Sequence, residues 1–215
     1  MNWVRLTFST SVGKKQLMAV TGLLFLLFLT THLLGNLSIY GGPPAFIDYA
    51  VRLHALGNLL VVAEVGMAVA LIIHVSTAVV LFLQNRRARP VRYAADRSAG
   101  GRTFSSQTMP YTGALILVFI AVHLYTFSHH IVDQTTRNIF QIAVAVFSQK
   151  IYLAIYLLGV VLVAFHVRHG LWSALQTVGA SHPKYTPFIH QLSIVSAVIV
   201  GIGFFSLPLV ILTMR

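Results

Sequence analysis

The stretch YLAIYLLGVVLVAFHVRHGLWS, residues 152–173, opens with fourteen residues that carry no charge and then places His166, Arg168 and His169 within four positions. A run this apolar reads as a membrane-crossing helix, because about 20 consecutive apolar residues span a hydrocarbon core of ~30 Å. Ionisable groups are costly at that depth, and where they occur they mark function by default. The segment therefore bears on both the fold and the chemistry.

The rest of the chain has the same character. Of 215 residues, 57% are hydrophobic and 9% charged, against about 25% charged in soluble domains. Apolar segments lie at roughly 16–37, 57–85, 109–131, 148–178 and 190–213. The expected fold is all-α, a single transmembrane domain over 1–215 with five spanning helices: a four-helix bundle and a fifth helix against it. The second and fourth segments exceed a straight crossing and are read as tilted or as extending past the lipid. Arg5, Lys14 and Lys15 before LMAVTGLLFLLFL suggest a signal peptide. No small-x-small cleavage site follows, and the run continues to Asn36, so it is read as a retained first helix. The Gly41-Gly42-Pro43-Pro44 turn predicts a short interfacial helix after it. No internal repeat stands out, although short aromatic-histidine phrases recur.

A net charge of +11 on so little water-facing surface does not indicate nucleic acid; it reports topology. Arg5, Lys14, Lys15, Arg86, Arg87, Arg89, Arg92, Arg97, Arg102 and Lys184 fall on one side, and Arg52, Arg137, Lys150 and Arg215 on the other. Ten against four predicts a cytoplasmic N-terminus and an outside C-terminus. The arginine-rich loop after Arg86 would meet anionic lipid or a cytoplasmic protein. With no cysteine, the chain itself excludes iron–sulfur clusters, thioether-linked haem, thiolate sites and disulfides.

Ten histidines remain, and His32, His74, His123 and His166 each occupy a different one of the first four spans. His32 lies 17 residues after Lys15, and His123 lies 14 after Met109; His74 precedes Arg86 by 12 residues, and His166 precedes the end of its segment by 12. At about 1.5 Å per residue, this sets His32 with His123 toward the outside and His74 with His166 toward the inside. Two histidines facing across a bundle can ligate one b-type haem, and two haems at different depths would carry electrons between the faces. Other readings stay open at this point. Each histidine could simply bond a neighbouring helix, or the set could line an ion or proton path in which His166 and His169 clasp a cation. Such a path usually includes intramembrane carboxylates, and Glu64 alone lies in a span.

The phrases THLLGN, IHVSTA, VHLYTF and FHVRHGLWSALQTVG, taken in order after STSVGKKQLMAVTGL, resemble the di-haem cytochrome b membrane anchor of succinate dehydrogenases and fumarate reductases. The resemblance covers essentially the whole chain. It implies that His32 and His123 ligate the iron of a distal haem b, and that His74 and His166 ligate that of a proximal haem b nearer the cytoplasm. It further implies a flavoprotein subunit with FAD and an iron–sulfur subunit docked on the cytoplasmic side of a bacterial or archaeal-type inner membrane. The chain would be the quinone-reacting subunit of that complex, with menaquinone as the typical quinone and the dicarboxylate chemistry on other chains. Another di-haem quinone oxidoreductase anchor, or a histidine-lined ion transporter, is the alternative. Some members carry a glutamate two residues before the fourth-helix ligand; here Ala164 stands there, so that proton mechanism is not carried over.

The remaining candidates are weighed singly. His169 would hydrogen-bond a haem propionate or make an ordinary polar contact, and Arg168 would pair with a propionate or snorkel to headgroups. Glu64, in the outer half of its helix, is expected to be buried and neutral, as either a quinone-site proton group or a cross-helix hydrogen-bond partner. Asp48, His54, His129 and His130 are expected at the same level. Trp172 suits the aromatic belt, Thr30 and Thr31 should bond back to their own helix, and Tyr125 either contacts a cofactor or packs.

Overall fold

The computed structural model describes residues 9–88 and 104–215, with side chains from 107 onward in the second stretch. Arg5, Arg89, Arg92, Arg97 and Arg102, used in the orientation argument, lie outside the described residues.

Helix α1 (Ser11–Asn36) starts where the Thr10 hydroxyl oxygen accepts from the Gly13 N–H at 3.1 Å. The apolar run marks the lipid crossing and the cap marks the helix, so α1 begins before position 16. Its end passes into a 3-10 turn, Leu37–Gly41, and Gly42 reverses the chain at φ 93°. Only glycine takes that conformation without strain. Pro43, with its fixed φ and no N–H to leave unpaired, opens α2 (Pro43–His54), the short helix that the turn predicted. Then follow α3 (Asn58–Arg87), α4 (Phe104–Phe127), α5 (Ile139–Phe147), α6 (Lys150–Thr177) and α7 (Thr186–Thr213).

Two further features differ from expectation. Helix α4 stops at Phe127 rather than near 131, leaving Ser128, His129 and His130 in a turn. Helix α5 is additional: nine residues cannot cross a bilayer, so a scan for spans passes over it. A reciprocal cap starts it, with Asn138 Oδ1 accepting from Gln141 N–H and Gln141 Oε1 accepting from Asn138 N–H.

Five helices are long and apolar enough to cross a membrane, yet only 11–28% of the residues in their most apolar windows are buried. A water-soluble bundle would cover such surface. The outward Leu, Val, Ile and Phe side chains are lipid-facing, as in a multi-pass membrane protein. Helix α1 packs on α3 and α6, α6 packs on α4 and most extensively on α7, and α3 touches α4 lightly. Thus α1, α3, α4 and α6 form a four-helix bundle with α7 outside it. At the end where α1 starts, Lys14 Nζ donates to Gln84 Oε1 at 3.3 Å, joining α1 to the end of α3. The opposite end is closed by a continuous core in which Ile39, Phe46, Ile142, Phe147, Tyr156 and Leu207 are buried together. Two glycines permit the closest approaches. A Cβ on Gly35 would come within 2.0 Å of the Tyr49 hydroxyl, and one on Gly159 within 2.5 Å of the Phe119 ring.

Candidate functional site

Each bundle helix contributes one inward histidine, and the antiparallel course of the chain sorts them into two levels. Nearer the core-closed end, His32 of α1 and His123 of α4 face each other with ring centroids 5.9 Å apart at 82°. An imidazole–metal bond of about 2 Å on either side of one ion would hold two centroids roughly 6 Å apart. Nearer the Lys14 end, His74 of α3 and His166 of α6 lie close enough to interact electrostatically.

The Nδ1 atoms carry the most information. His74 Nδ1 is 3.0 Å from Thr21 Oγ1, whose own proton goes to the Leu17 carbonyl at 2.8 Å. A hydroxyl has one proton; directed to the carbonyl, it leaves the oxygen to accept, an arrangement that suits a hydrogen on His74 Nδ1. The same holds across the bundle. Thr112 Oγ1 donates to the Met109 carbonyl at 3.1 Å and meets His166 Nδ1 at 3.3 Å. For His123 the relay is one group longer. Nδ1 is 3.3 Å from the Tyr156 hydroxyl, Tyr156 bonds to Thr126 Oγ1, and Thr126 donates to the Val122 carbonyl at 2.9 Å. In three of the four rings, therefore, Nδ1 has a hydroxyl partner, and with the hydrogen on that nitrogen Nε2 is the one free to ligate a metal. His32 Nδ1 lies 3.5 Å from Asn36 Nδ2, at the limit of a hydrogen bond, while that amide donates at 2.8 Å to the His32 carbonyl.

The partners Thr21, Thr112, Thr126 and Tyr156 are absent from the sequence expectations, yet a signal for them exists. Residues 21–36, TGLLFLLFLTTHLLGN, and 112–127, TGALILVFIAVHLYTF, align at an offset of 91 with Thr, Gly, Leu, Leu, Phe, His and Leu in common. The expectation of no repeat is corrected: α1 and α4 are copies of one pattern. The shared Thr takes a histidine Nδ1, and the shared Gly faces the same ring: a Cβ added there would lie 3.4 Å from His74 Cε1 at Gly22 and 3.5 Å from His166 Cε1 at Gly113. The shared Phe packs on the helix's own histidine, Phe28 on His32 at 5.3 Å and Phe119 on His123 at 6.2 Å. Helices α3 and α6 correspond more faintly, with His-Val at 74–75 and 166–167 and Leu-Gln at 83–84 and 175–176. Each histidine pair thus joins equivalent positions of the two halves.

His169 and Arg168 are half-buried, one turn or less beyond His166 toward the Lys14 end. The three described carboxylates are all at the other end: Asp48 pairs with Arg52 at 2.8 Å, Asp133 holds Thr135, and Glu64 meets His130. Arg168 consequently has no carboxylate partner among the described residues.

The expectation for Glu64 needs correction. It is 36% exposed, with His130 Nε2 at 2.9 Å from Oε2 and His129 Nδ1 at 3.6 Å from Oε1. The cause is the early end of α4, which folds the two histidines back over the carboxylate. His54 joins them, its ring 4.8 Å from His129; burial, then the neighbouring His129, hold its pKa below the usual 6.5. Asp48 is not in this cluster, being occupied by Arg52. Tyr125 is 64% exposed and points away from the bundle interior. Trp172 packs edge-on against His190 of α7 at 5.4 Å. Thr30 and Thr31 bond back to the Leu26 and Phe28 carbonyls, as expected.

No protein-family model, curated protein or solved structure matches this chain.

Proposed function

We propose that the chain is the membrane-anchoring di-haem cytochrome b subunit of a succinate dehydrogenase or fumarate reductase, passing electrons between a cytoplasmic flavoprotein/iron–sulfur module and membrane quinone. The observation that carries the reading is the set of four inward histidines at two levels, with Nδ1–H of three of them tied into hydroxyl relays. Four such histidines on four different helices, meeting in two pairs, are more than the packing of single rings requires.

On this reading His32 and His123 hold the iron of one haem b, and His74 and His166 that of the other. Haem b, when bound, supplies reversible one-electron chemistry at a potential set by its ligands and surroundings. The chain's own residues do the rest. The hydroxyl relays orient the imidazoles and raise their basicity. Phe28 and Phe119, packed on their histidines, exclude water from the level near the closed end. Arg168 and His169 offer half-buried donors to the acidic edge of a haem at the other level. Glu64, linked to His129 and His130 and open to solvent, suits the exchange of the protons that a quinone gains or loses with its electrons.

With no cysteine, the clusters and flavin belong to partner subunits, docked at the end that holds Lys14, Arg86 and Arg87. By the charge distribution that end is cytoplasmic, in an inner membrane. Menaquinone is the quinone proposed. An ion path receives less support, because the single carboxylate among the described spans sits at one end rather than between the histidines.

The test is a reduced-minus-oxidised optical spectrum of the full chain purified from haem-replete cells. The proposal expects b-type bands at two haems per chain, with flavoprotein and iron–sulfur subunits co-purifying. Well-folded protein without those bands would overturn the haem assignment. Bands with different partner subunits would transfer the chain to another quinone oxidoreductase.

A further inference from the structure

We infer that the closed end of the bundle carries a site for a divalent transition-metal cation, Zn²⁺ by its donor set, built from Glu64 of α3 with His129 and His130 of the turn after α4. Each residue offers one ligand atom, and these atoms all lie within 4.8 Å of one another. The two carboxylate oxygens address different rings, Oε2 facing His130 Nε2 at 2.9 Å and Oε1 facing His129 Nδ1 at 3.6 Å. Two adjacent residues on a helix would point 100° apart. In the turn they do not: the rings of His129 and His130 sit 3.9 Å apart at 39°, so both donors reach one point.

Two imidazoles and one carboxylate form a borderline nitrogen and oxygen set that suits Zn²⁺, and also Cu²⁺ or Ni²⁺, better than the all-oxygen preference of Ca²⁺ or Mg²⁺. Three protein ligands leave a further position for water, or for His54, whose ring is 4.8 Å from His129. A cation can reach the place from solvent. The side chains of Glu64, His129 and His130 are 36%, 29% and 58% exposed, and an open groove of about 500 Å³ adjoins them, lined by His54, Asn58, His129, Asp133 and Gln134 among others. The ion would take the place of the direct contact between Glu64 and His130 and would clasp α3 to the α4–α5 connection, across the lightly packed seam between α3 and α4.

This site is separate from the four inward histidines and does not rest on the haem reading. Where that reading holds, the cation would occupy the carboxylate assigned to proton exchange and slow it.

The experiment is calorimetric titration of the full-length protein with Zn²⁺, purified in detergent without a polyhistidine tag. One ion per chain is expected, bound at least tenfold more weakly by Glu64→Gln and by the double variant His129→Ala/His130→Ala, and unchanged by His182→Ala in the α6–α7 loop. Circular dichroism melting checks that each variant is folded, and haem content is measured separately, so either reading can fail alone. Should one histidine variant misfold, Glu64→Gln still decides the matter. No saturable site, or equal affinity in wild type and Glu64→Gln, would overturn the proposal.

Discussion

The hydroxyl of Tyr156 does more for the site than its place in an apolar core suggests. It is 5% exposed and stands between His123 Nδ1 and Thr126 Oγ1. Removing it leaves a buried Nδ1–H without an acceptor and frees the ring to change tautomer. Loss of such outer partners typically weakens metal binding 10–100-fold. On the di-haem proposal, Tyr156→Phe is accordingly expected to lower retention of the haem assigned to His32 and His123 about tenfold or more, and to shift its redox potential, while the other haem keeps both. Optical titration of the two haems reads this directly; equal effects on both would show that Tyr156 is only a packing residue. Glu64→Gln makes the complementary prediction. It keeps the shape and removes the proton site, so on the same proposal quinone turnover should fall about 100-fold with both haems retained, and unchanged turnover would make Glu64 structural. At this scale the sequence was legible where chemistry is intrinsic to the residue type. A histidine in an apolar run announces itself. Thr21, Thr112 and Thr126 do not, because a threonine inside a span normally bonds only to its own helix, as Thr30 and Thr31 do. The second bond of each depends on which helix lies opposite.

At the scale of elements, the five spans were readable because lipid demands length and apolarity together, a signal that composition carries without any tertiary context. The short helices were harder. Gly42 and Pro43 gave α2 away by turn chemistry. Helix α5 carries a capping box at Asn138 and Gln141 but lies between two long spans, where a 20-residue window averages it into its neighbours. Its absence from the reading also hid why α4 ends early. With α5 closing the bundle end, Phe127 and Phe147 pack at 5.7 Å between ring centroids, and the chain must turn at Ser128 to reach it. That turn brings His129 and His130 onto Glu64, so the cluster at this end could not be foreseen from residue spacing. The close approach of α4 to α6 at Gly159, against Phe119, is likewise invisible until the two helices are set side by side.

At the scale of the molecule, the correspondence between α1 and α4, and more faintly between α3 and α6, explains why the histidines fall into two pairs rather than an irregular string. Equivalent positions of two similar halves meet across the bundle, His32 with His123 and His74 with His166. Counting residues inward from the charged ends reached the same pairs, because each helix rises by a nearly constant step per residue. The halves differ where function would want them to differ. Ten residues before its inward histidine, α6 carries the buried Tyr156 and α3 the half-buried Glu64. One copy contacts the inward His123 and the other meets His130 of the turn after α4.

The pairing is the central claim, and haem retention in single histidine variants tests it most directly. Each of His32, His74, His123 and His166 is replaced by alanine in turn, and the remaining haem is identified by its optical redox titration. The account predicts two classes of variant: His74→Ala and His166→Ala keep the same single haem, and His32→Ala and His123→Ala keep the other. Loss of different haems from His74→Ala and His166→Ala, or no haem in the parent protein, would contradict it.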